Sequence, residues 1–283
     1  MRLFGLSDMA DWPILGSCSK FVGINHDLST SQMVAACMLT DITENVKTAW
    51  GEAIASLPQD INGLWLTIWR PYTSVSSTCL CDIGIGAEGS EIVLIENILY
   101  NLNASGVGYA YFFPISVKAG SRIAIRMQQS NTSPRICYFS VSGVAGGDFL
   151  YRSFGKVVTY GANTADSGGV SVDPGGTANT KGSYSEIVAS TSHNISYLIV
   201  AIGNQDTLNL DANVLLDLAV GASGSEVNFA ENIYFGMFTN ELFMPSVFSF
   251  PINIPAGTRI SARAQSNVIA TGRTFDLILY GIH

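Results

Sequence analysis

An internal repeat constrains the fold of this chain more than any other feature of its sequence. Residues 82–97 read DIGIGAEGSEIVLIEN, and residues 217–232, which lie 135 positions later, read DLAVGASGSEVNFAEN. A second pair of blocks, PISVKAGSRIAIR at 114–126 and PINIPAGTRISAR at 251–263, lies 137 positions apart. Both blocks keep their order and nearly their spacing, so the sequence predicts a tandem duplication of one structural unit.

The repeat divides the 283 residues into two units and two connecting segments. We predict a first repeat at 21–145 and a second at 158–283, with a linker at 146–157 and an N-terminal arm at 1–20. Each repeat is roughly 125 residues long, which is enough to enclose a hydrophobic core of its own.

Both repeats consist of short apolar segments that alternate with turn residues. About eight runs per repeat, such as 64–69 and 197–202, are rich in β-branched and aromatic residues. Gly, Ser, Asn and Pro separate these runs, and no stretch carries a convincing amphipathic helix. Short strands at such spacing are typical of antiparallel sandwiches, so we predict an all-β fold of two tandem jelly-roll-like β-sandwiches.

One segment, residues 32–38, fits a short helix when it is taken alone. Its counterpart at 168–176 contains four glycines and a proline, which disfavour a helix. We therefore predict a strand in both copies.

The composition points to an assembly of subunits. Charged residues make up 13% of the chain and hydrophobic residues 47%, and the mean hydropathy is +0.29. A chain with so few charges is expected to cover apolar surface with partners, so we expect a homo-oligomer. The net charge of −8 argues against nucleic-acid binding, and no apolar run is long enough to predict a membrane span.

The first 20 residues have no counterpart in the second repeat. Leu3, Phe4 and Trp12 make this arm apolar, unlike a flexible polar tail. We predict that the arm packs on a neighbouring protein and does not extend freely into water.

The five cysteines all precede the second repeat. A required disulfide framework would have been duplicated together with the domain, so we expect free thiols in a protein made in a reducing cytoplasm. No signal-peptide pattern is evident at the N-terminus.

Several charged residues recur in both copies and are the candidate site residues. They are Glu91, Arg122 and Arg126 in the first repeat and Glu226, Arg259 and Arg263 in the second. The glutamates could serve glycoside hydrolysis or calcium binding, and the arginines could bind a carboxylate or an acidic sugar. We favour a structural role, in which the glutamates bond turn amides or arginines and the arginines form cross-strand or inter-subunit pairs.

The sequence predicts no catalytic, metal or cofactor site. His26, His193 and His283 lie outside the repeated blocks, and no Ser-His-Asp order is present in both copies. No spacing of cysteine and histidine fits zinc convincingly. We therefore expect a protein that is not an enzyme.

Three blocks of the second repeat carry a family resemblance. They read GTANTKGSYSEIVAST at 176–191, VGASGSEV at 220–227 and PAGTRISARAQ at 255–265. Together they resemble a β-sandwich module that recurs in virion proteins of tailed bacteriophages. The resemblance covers the second repeat nearly whole and the first from about Trp50 to Gly143, where Lys118 replaces the proline.

This resemblance implies a structural component of a phage particle. Such modules occur in tail, neck-fibre and capsid-decoration proteins, so the implied location is the virion after synthesis in the host cytoplasm. The implied partners are other virion proteins and further copies of the chain.

The alternative is a receptor- or glycan-binding module of a tail fibre, whose ligand would be a host-surface glycan. It would require exposed rings in the loops. The candidate platforms are Tyr100, residues 109–113 and residues 234–238.

Overall fold

The computed structural model describes residues 20–24, 36–39, 43–69, 77–102, 108–132, 135–145, 154–204, 212–238, 241–243, 246–270 and 273–283. Within these ranges the regular elements are β-strands. No helix long and apolar enough to cross a membrane occurs among the described residues.

The strands fall into two successive sets that follow the repeat. The first set is β1 (Lys20–Ile24), β2 (Ala36–Leu39), β3 (Gly51–Ile54), β4 (Gly63–Trp69), β5 (Ser77–Ile85), β6 (Ile92–Leu102), β7 (Tyr109–Phe113), β8 (Ile123–Gln129) and β9 (Arg135–Ala145). The second set is β10 (Val157–Tyr160), β11 (Val170–Val172), β12 (Ser185–Val188), β13 (Ile195–Asn204), β14 (Ala212–Val220), β15 (Val227–Phe238), β16 (Glu241–Phe243), β17 (Val247–Ile254), β18 (Ile260–Ser266) and β19 (Phe275–Ile282).

Each set forms two antiparallel sheets with the strand order of a jelly roll. In the first half, one sheet has the order β1-β9-β4-β7, with β2 also pairing β9, and the other has the order β3-β8-β5-β6. The second half repeats this as β10-β19-β13-β17, with β11 on β19, and as β12-β18-β14-β15-β16. The prediction of an all-β fold of tandem jelly-roll-like sandwiches is therefore confirmed. β16 is an addition that only the second set has among the described strands.

Alternating side chains build the core of each sandwich. On β4, Leu64 and Leu66 are fully buried toward the opposite sheet, and Trp65 between them is 37% exposed. On β13, Leu198 and Val200 occupy the corresponding inward positions. This period of two is the expected pattern for strands that bury one face in a sandwich.

The described part of the ambiguous segment at 32–38 is a strand. Its residues 36–38 lie in β2, which pairs with β9, and the counterpart β11 pairs with β19 in the same way. Residues 32–35 lie outside the described residues, as do most of the predicted linker and all but the last residue of the predicted arm.

Glycines with positive φ shape the turn after β5 and the equivalent turn after β14. Gly86 has a φ of 123° and Gly221 a φ of 111°, and each amide donates to the carbonyl of the repeated arginine at 3.3 Å. A Cβ at Gly221 would lie 3.0 Å from the Ser225 carbonyl oxygen. The backbone is both in a region that other residues avoid and too close to its neighbour for a side chain.

We therefore expect Gly221→Ala to lower the free energy of unfolding by about 2 kcal/mol. Gly224→Ala is the matched control, because Gly224 also has a positive φ, 82°, but a Cβ there would meet no atom within 4 Å. Its cost should be about 1 kcal/mol. Urea unfolding of both variants measures the difference, and an equal loss would show that the close contact with Ser225 is unimportant.

The two halves pack together through the open edge of the first sandwich. Its edge strands β6 and β7 contact the outer face of the second sandwich, which β10, β13 and β17 contribute. Outward-facing Ile199, Ala201 and Ile278 of the second half are fully buried as a result. The outer face of that sheet therefore belongs to the core of the first half.

Tyr280 on β19 closes the opening of the first sandwich. Its ring packs edge-on against Tyr111 and Phe113, with centroids at 5.9 Å and 5.8 Å. Its hydroxyl accepts from the Leu99 amide at 2.8 Å and donates to the Asn97 carbonyl at 3.0 Å. These backbone groups belong to the edge strand β6, which has no neighbouring strand on one side. One side chain of the second half therefore supplies hydrogen-bond partners for the edge strand of the first half.

Candidate functional site: a duplicated ion-pair face

The candidate site lies on the outer face of the β3-β8-β5-β6 sheet and of its counterpart in the second half. The first group of residues, which we call the aspartate cluster, is Lys47, Trp50, Asp82, Asn97 and Arg126 in the first half and Lys181, Tyr184, Asp217, Asn232 and Arg263 in the second. The second group, the arginine–glutamate cluster, is Glu52, Glu91 and Arg122, with Glu186, Glu226 and Arg259 as its copy.

The aspartate cluster of the first half centres on a carboxylate that is 3% exposed. Asp82 Oδ1 accepts from Lys47 Nζ at 2.7 Å and from the Asn97 amide at 2.7 Å. Its Oδ2 accepts from Arg126 Nε at 2.8 Å, and the Arg126 guanidinium lies 4.5 Å from the ring centre of Trp50. Two cations and a backbone amide therefore compensate one buried charge.

The second half reproduces this arrangement with the same atoms. Asp217 Oδ1 accepts from Lys181 Nζ at 2.7 Å and from the Asn232 amide at 3.0 Å, and Oδ2 accepts from Arg263 Nε at 3.1 Å. The Arg263 guanidinium lies 4.6 Å from the ring centre of Tyr184. A tyrosine ring thus replaces the tryptophan and keeps the cation–π contact.

Each aspartate accepts a hydrogen bond from the backbone amide of an asparagine that has a positive φ. Asn97 has a φ of 55° and Asn232 a φ of 56°, and the pairing register shifts beside both residues. Asparagine tolerates positive φ better than most residues, and such a bulge leaves an amide without a ladder partner. The buried carboxylate supplies that partner, so each cluster fixes the backbone at the bulge of β6 or of β15.

The arginine–glutamate cluster joins three strands at the turn end of the sheet. Arg122 donates through Nε to Glu52 Oε2 at 2.9 Å and through Nη1 to Glu91 Oε1 at 2.8 Å. Glu91 is 2% exposed in its side chain, whereas Glu52 is 51% exposed. Arg122 is thus shared between one buried and one solvated carboxylate.

The copy in the second half has the same order of partners. Arg259 donates to Glu186 at 2.7 Å, to Glu226 at 3.2 Å and to the Gly221 carbonyl at 3.0 Å. Glu226 also accepts from the Gly224 amide at 2.9 Å. The glutamate therefore ties the glycine turn to the strand that carries Arg259.

Three carboxylates of these clusters have pKa values below their ordinary range. Burial acts to raise the pKa of Asp217, but hydrogen bonds from Lys181, the Asn232 amide and Arg263 outweigh it. Burial likewise acts to raise the pKa of Glu91, and the hydrogen bond from Arg122 is the main cause that lowers it. A bond from its own backbone amide is the largest cause of the lowered pKa of Glu226.

These lowered pKa values predict acid sensitivity with a defined sign. A carboxylate whose folded-state pKa lies below its unfolded value binds fewer protons when folded, so its contribution to stability is complete above the unfolded pKa, about 4. It is lost as the pH falls through the folded pKa. We expect the urea midpoint to stay constant from about pH 7 to 5 and to fall below about pH 4. A midpoint that is unchanged down to pH 2 would contradict these assignments.

The geometry leaves the cluster carboxylates little capacity for a ligand. Both oxygens of Asp82 and of Asp217 already accept hydrogen bonds. Among the residues that the structure describes, no group of three or more His, Cys, Asp or Glu side chains is placed to hold a metal ion. The contacts link strands across the sheet, and this is the chemistry that the arrangement supports.

The structure places six of the predicted site residues in these clusters. Glu91, Arg122 and Arg126 lie on the first face, and Glu226, Arg259 and Arg263 lie on the second. The other three, Leu3, Phe4 and Trp12, lie outside the described residues.

Sequence reasoning missed the residues at the centre of the aspartate clusters. Both copies contain a lysine followed three positions later by an aromatic residue and five positions later by a glutamate, as KTAWGE at 47–52 and KGSYSE at 181–186. Asp82 and Asp217 open the repeated blocks. Their exact recurrence was the available signal, and it could have identified them as partners of the repeated arginines.

Most rings that were candidates for a glycan platform are inside the protein. Tyr100, Tyr109 and Tyr111 are between 0% and 3% exposed. Phe112 is partly exposed and packs on Trp65, and Tyr234 is 54% exposed. The candidate platform at 109–113 is therefore part of a core strand, because the second half closes the edge on which these rings lie.

Comparisons with known proteins do not assign the chain to a family. No family model matches it, and no curated protein matches it. Solved structures that align with it include PNGase F, a glycosylasparaginase from Flavobacterium meningosepticum, with 10% identity over 93% of this chain and 95% of that one and a TM-score of 0.44.

Two other aligned structures come from a virus and from an exported protein. A chain of Broad Bean Stain Virus has 12% identity, covers 92% of this chain and 94% of its own length, and has a TM-score of 0.27. The PBSX exported protein XepA has 14% identity, with 88% and 86% covered and a TM-score of 0.22. At these sequence identities and TM-scores, none of the aligned structures indicates a function for this chain.

The expectation that the chain is not an enzyme is corrected by the first of these comparisons. A glycosylasparaginase is similar over most of both chains, so this type of architecture does not exclude an enzyme. The reason is general, since a fold carries many functions and activity depends on the residues of a site. The likeness assigns no reaction and no catalytic residue to this chain.

Proposed function

We propose that this chain is a structural component of a tailed-phage particle, in a decoration, neck, tail or fibre position. The two sandwiches form its building block, and the apolar arm with Leu3, Phe4 and Trp12 docks on a neighbouring virion protein. The protein is made in the host cytoplasm, keeps its thiols free and assembles with other virion proteins and with further copies of itself. Cys79 and Cys81 are buried, and the Cys79 thiol donates to the Ser77 carbonyl at 3.8 Å, in keeping with this proposal.

The observation that supports this proposal most is how the duplicated polar residues are used. In both halves a carboxylate that is 3% exposed joins a lysine, an arginine and a backbone amide on neighbouring parts of one sheet. Breaking such a pair leaves an uncompensated charge, so the clusters resist rearrangement. Rigid, duplicated sandwiches that resemble a phage virion module fit a part of a particle.

The proposal is tested on particles from the virus or prophage whose genome carries this coding sequence. Particles purified on a density gradient should contain peptides of this chain at a fixed ratio to the major capsid protein, as measured by quantitative mass spectrometry. Abundant host cytosolic proteins serve as the control and should be depleted from the same fractions. Recovery of the chain only in the soluble fraction would overturn the proposal.

A melting experiment separates this function from the glycan-binding alternative. A ligand at 100 times its Kd stabilises the folded state by about 2.7 kcal/mol, which shifts the melting temperature measurably. With calcium, EDTA or a panel of host-surface glycans we expect no shift. A reproducible rise with one glycan would favour the receptor-binding module instead.

A further inference from the structure

One pocket of the second half is lined by polar groups and glycine backbone. It has a volume of about 430 Å³ and lies beside the aspartate cluster, in the loop that leads into β12. All of the residues that line it lie within the described range 154–204. We call it the hydroxyl pocket; its side chains are those of Asp173, Thr177, Thr180, Lys181, Ser183 and Ser185.

The hydroxyls of this pocket are not used to hold the fold together. The side chains of Thr177, Ser183 and Ser185 make no hydrogen bond with another described residue. The Thr180 hydroxyl has one long bond, 3.5 Å, to the Ala178 carbonyl. These four groups can therefore exchange their water for the polar groups of a ligand without breaking a contact that the sandwich needs.

The first half has the same loop without most of these hydroxyls. Asn45 and Asn179 hold equivalent places in the two loops, with φ of 59° and 58°. The lysine, aromatic residue and glutamate that follow are also shared. Three pocket positions differ, with Val46 in place of Thr180, Ala49 in place of Ser183 and Gly51 in place of Ser185. Because one copy of the fold accepts these residues, the fold itself does not require the hydroxyls of the other.

Close approach of two glycine backbones shapes the wall of the pocket. A Cβ at Gly182 would lie 2.7 Å from the Asp173 carbonyl oxygen, and a Cβ at Gly175 would lie 3.2 Å from the Gly182 Cα. The first half has Thr48 in the place of Gly182, and the Thr48 hydroxyl accepts from the Met127 amide at 3.2 Å. A side chain that bonds the sheet in the first half is thus absent from the wall of the pocket in the second.

The lining favours a neutral, hydroxyl-rich ligand. Lys181 is the cation of the lining, and its Nζ donates to the Leu215 carbonyl at 3.0 Å and to Asp217 at 2.7 Å. Its charge is already compensated, so it offers little attraction to an anion. The lining residues include no aromatic ring and no large aliphatic side chain, so an apolar molecule would gain little there. A hydroxyl both donates and accepts, and a ligand with many hydroxyls matches such a lining.

We propose that the hydroxyl pocket binds a neutral sugar unit of a glycan. Its volume is within the range of small-molecule sites, about 300–1,000 Å³. Thr177, Thr180 and Ser183 are exposed, so the pocket is open to solvent and leaves room for the rest of a glycan chain. Binding is weak, with a Kd in the millimolar range, because each new hydrogen bond replaces one to water and no ring in the lining stacks on the sugar.

This inference goes beyond the proposed structural role and does not depend on it. A weak site gains strength when many copies on one particle contact the same glycan surface. At the micromolar ligand concentrations of a glycan panel, a millimolar Kd leaves almost every site empty. The melting result expected above is therefore unchanged.

The test is an amide NMR titration of the purified full chain with methyl glycosides, which mimic a sugar unit within a glycan. The probes are the methyl glycosides of glucose, galactose, mannose, rhamnose and N-acetylglucosamine. Amides of residues 175–185 should shift with at least one of them and saturate with a millimolar Kd. Amides of residues 43–51, the equivalent loop of the first half, are the internal control and should not shift. Inorganic phosphate should produce no saturable shift.

A variant that carries the first-half residues tests the hydroxyls directly. Thr180→Val, Ser183→Ala and Ser185→Gly together should raise the Kd of the bound glycoside by about tenfold or more. Ser223→Ala is the control and should leave the Kd unchanged, because Ser223 is exposed and lies outside the pocket. If the triple variant does not fold, Ser183→Ala alone should still raise the Kd by about threefold.

Three results would overturn the inference: no saturable shift with any of the glycosides, shifts confined to other parts of the chain, or an equal Kd for the triple variant. Saturable binding of phosphate in the pocket would also overturn it, because that would show an anion site. None of these results would affect the proposed function, which is tested separately by the presence of the chain in particles.

Discussion

Tyr280→Ala is expected to lower the free energy of unfolding of the first sandwich by about 3–5 kcal/mol, the usual cost of removing a buried aromatic ring. The ring is fully buried between the halves and packs on Tyr111 and Phe113. Its loss leaves a cavity at the open edge of the first half and removes the hydroxyl that the Leu99 amide contacts. In urea unfolding followed by fluorescence, we expect the first half to unfold in a separate, earlier transition.

Tyr280→Phe separates the hydroxyl from the ring. It keeps the packing but leaves the Leu99 amide and the Asn97 carbonyl without this partner, so we expect a loss of about 1–3 kcal/mol. Tyr234→Phe is the matched control, since the Tyr234 hydroxyl bonds Asn213 on an exposed surface, and its cost should be below about 0.5 kcal/mol. If Tyr280→Ala unfolds like the unaltered chain, Tyr280 does not close the first sandwich.

Asp217→Asn is expected to lower the free energy of unfolding by about 2–3 kcal/mol. The substitution leaves Lys181 and Arg263 close together on a sheet face without their shared carboxylate. Removing one partner of a buried pair costs about 3–5 kcal/mol, and we discount this because Lys181 is 17% and Arg263 31% exposed to screening water. Urea unfolding at pH 7 measures the effect.

The duplication supplies an internal replicate and a control for this prediction. Asp82→Asn should destabilise the first half by a similar amount, because the exposed fractions of Lys47 and Arg126 are 18% and 30%. Glu186→Gln should cost less than about 1 kcal/mol, because Glu186 is 49% exposed. A loss below about 0.5 kcal/mol for both aspartate variants would show that the clusters do not hold the sheets together.

The repeat made the fold predictable because it doubled the information on each turn and strand. The glycine turns at Gly86 and Gly221 recur with their flanking alternation, and such turns demand particular residues. Alternation at 122–126 and 259–263 likewise placed the arginines of each strand on one face. That placement predicted acidic partners for the arginines. It did not predict that the partner of Arg126 is Asp82 and not a glutamate.

The contact between the halves could not be predicted, because it depends on residues that the copies do not share. Tyr280 corresponds to Ser142 in the first half, and Ile199 corresponds to Trp65. A comparison of the repeats treats these positions as divergence, whereas the structure shows that the second-half copy of the face is buried against the first half. The burial of Tyr109 and Tyr111 follows from this contact, so their sequence alone could not decide between core and platform.

A three-dimensional reconstruction of the purified particle tests the central claim, that this chain is a built-in part of a virion, most directly. We expect density for two packed jelly-roll sandwiches per copy at symmetry-related positions on a capsid, neck, tail or fibre. The first sandwich's edge should lie on the second sandwich's outer face in each copy. A complete, infectious particle in which all the density is explained by other proteins would contradict the account.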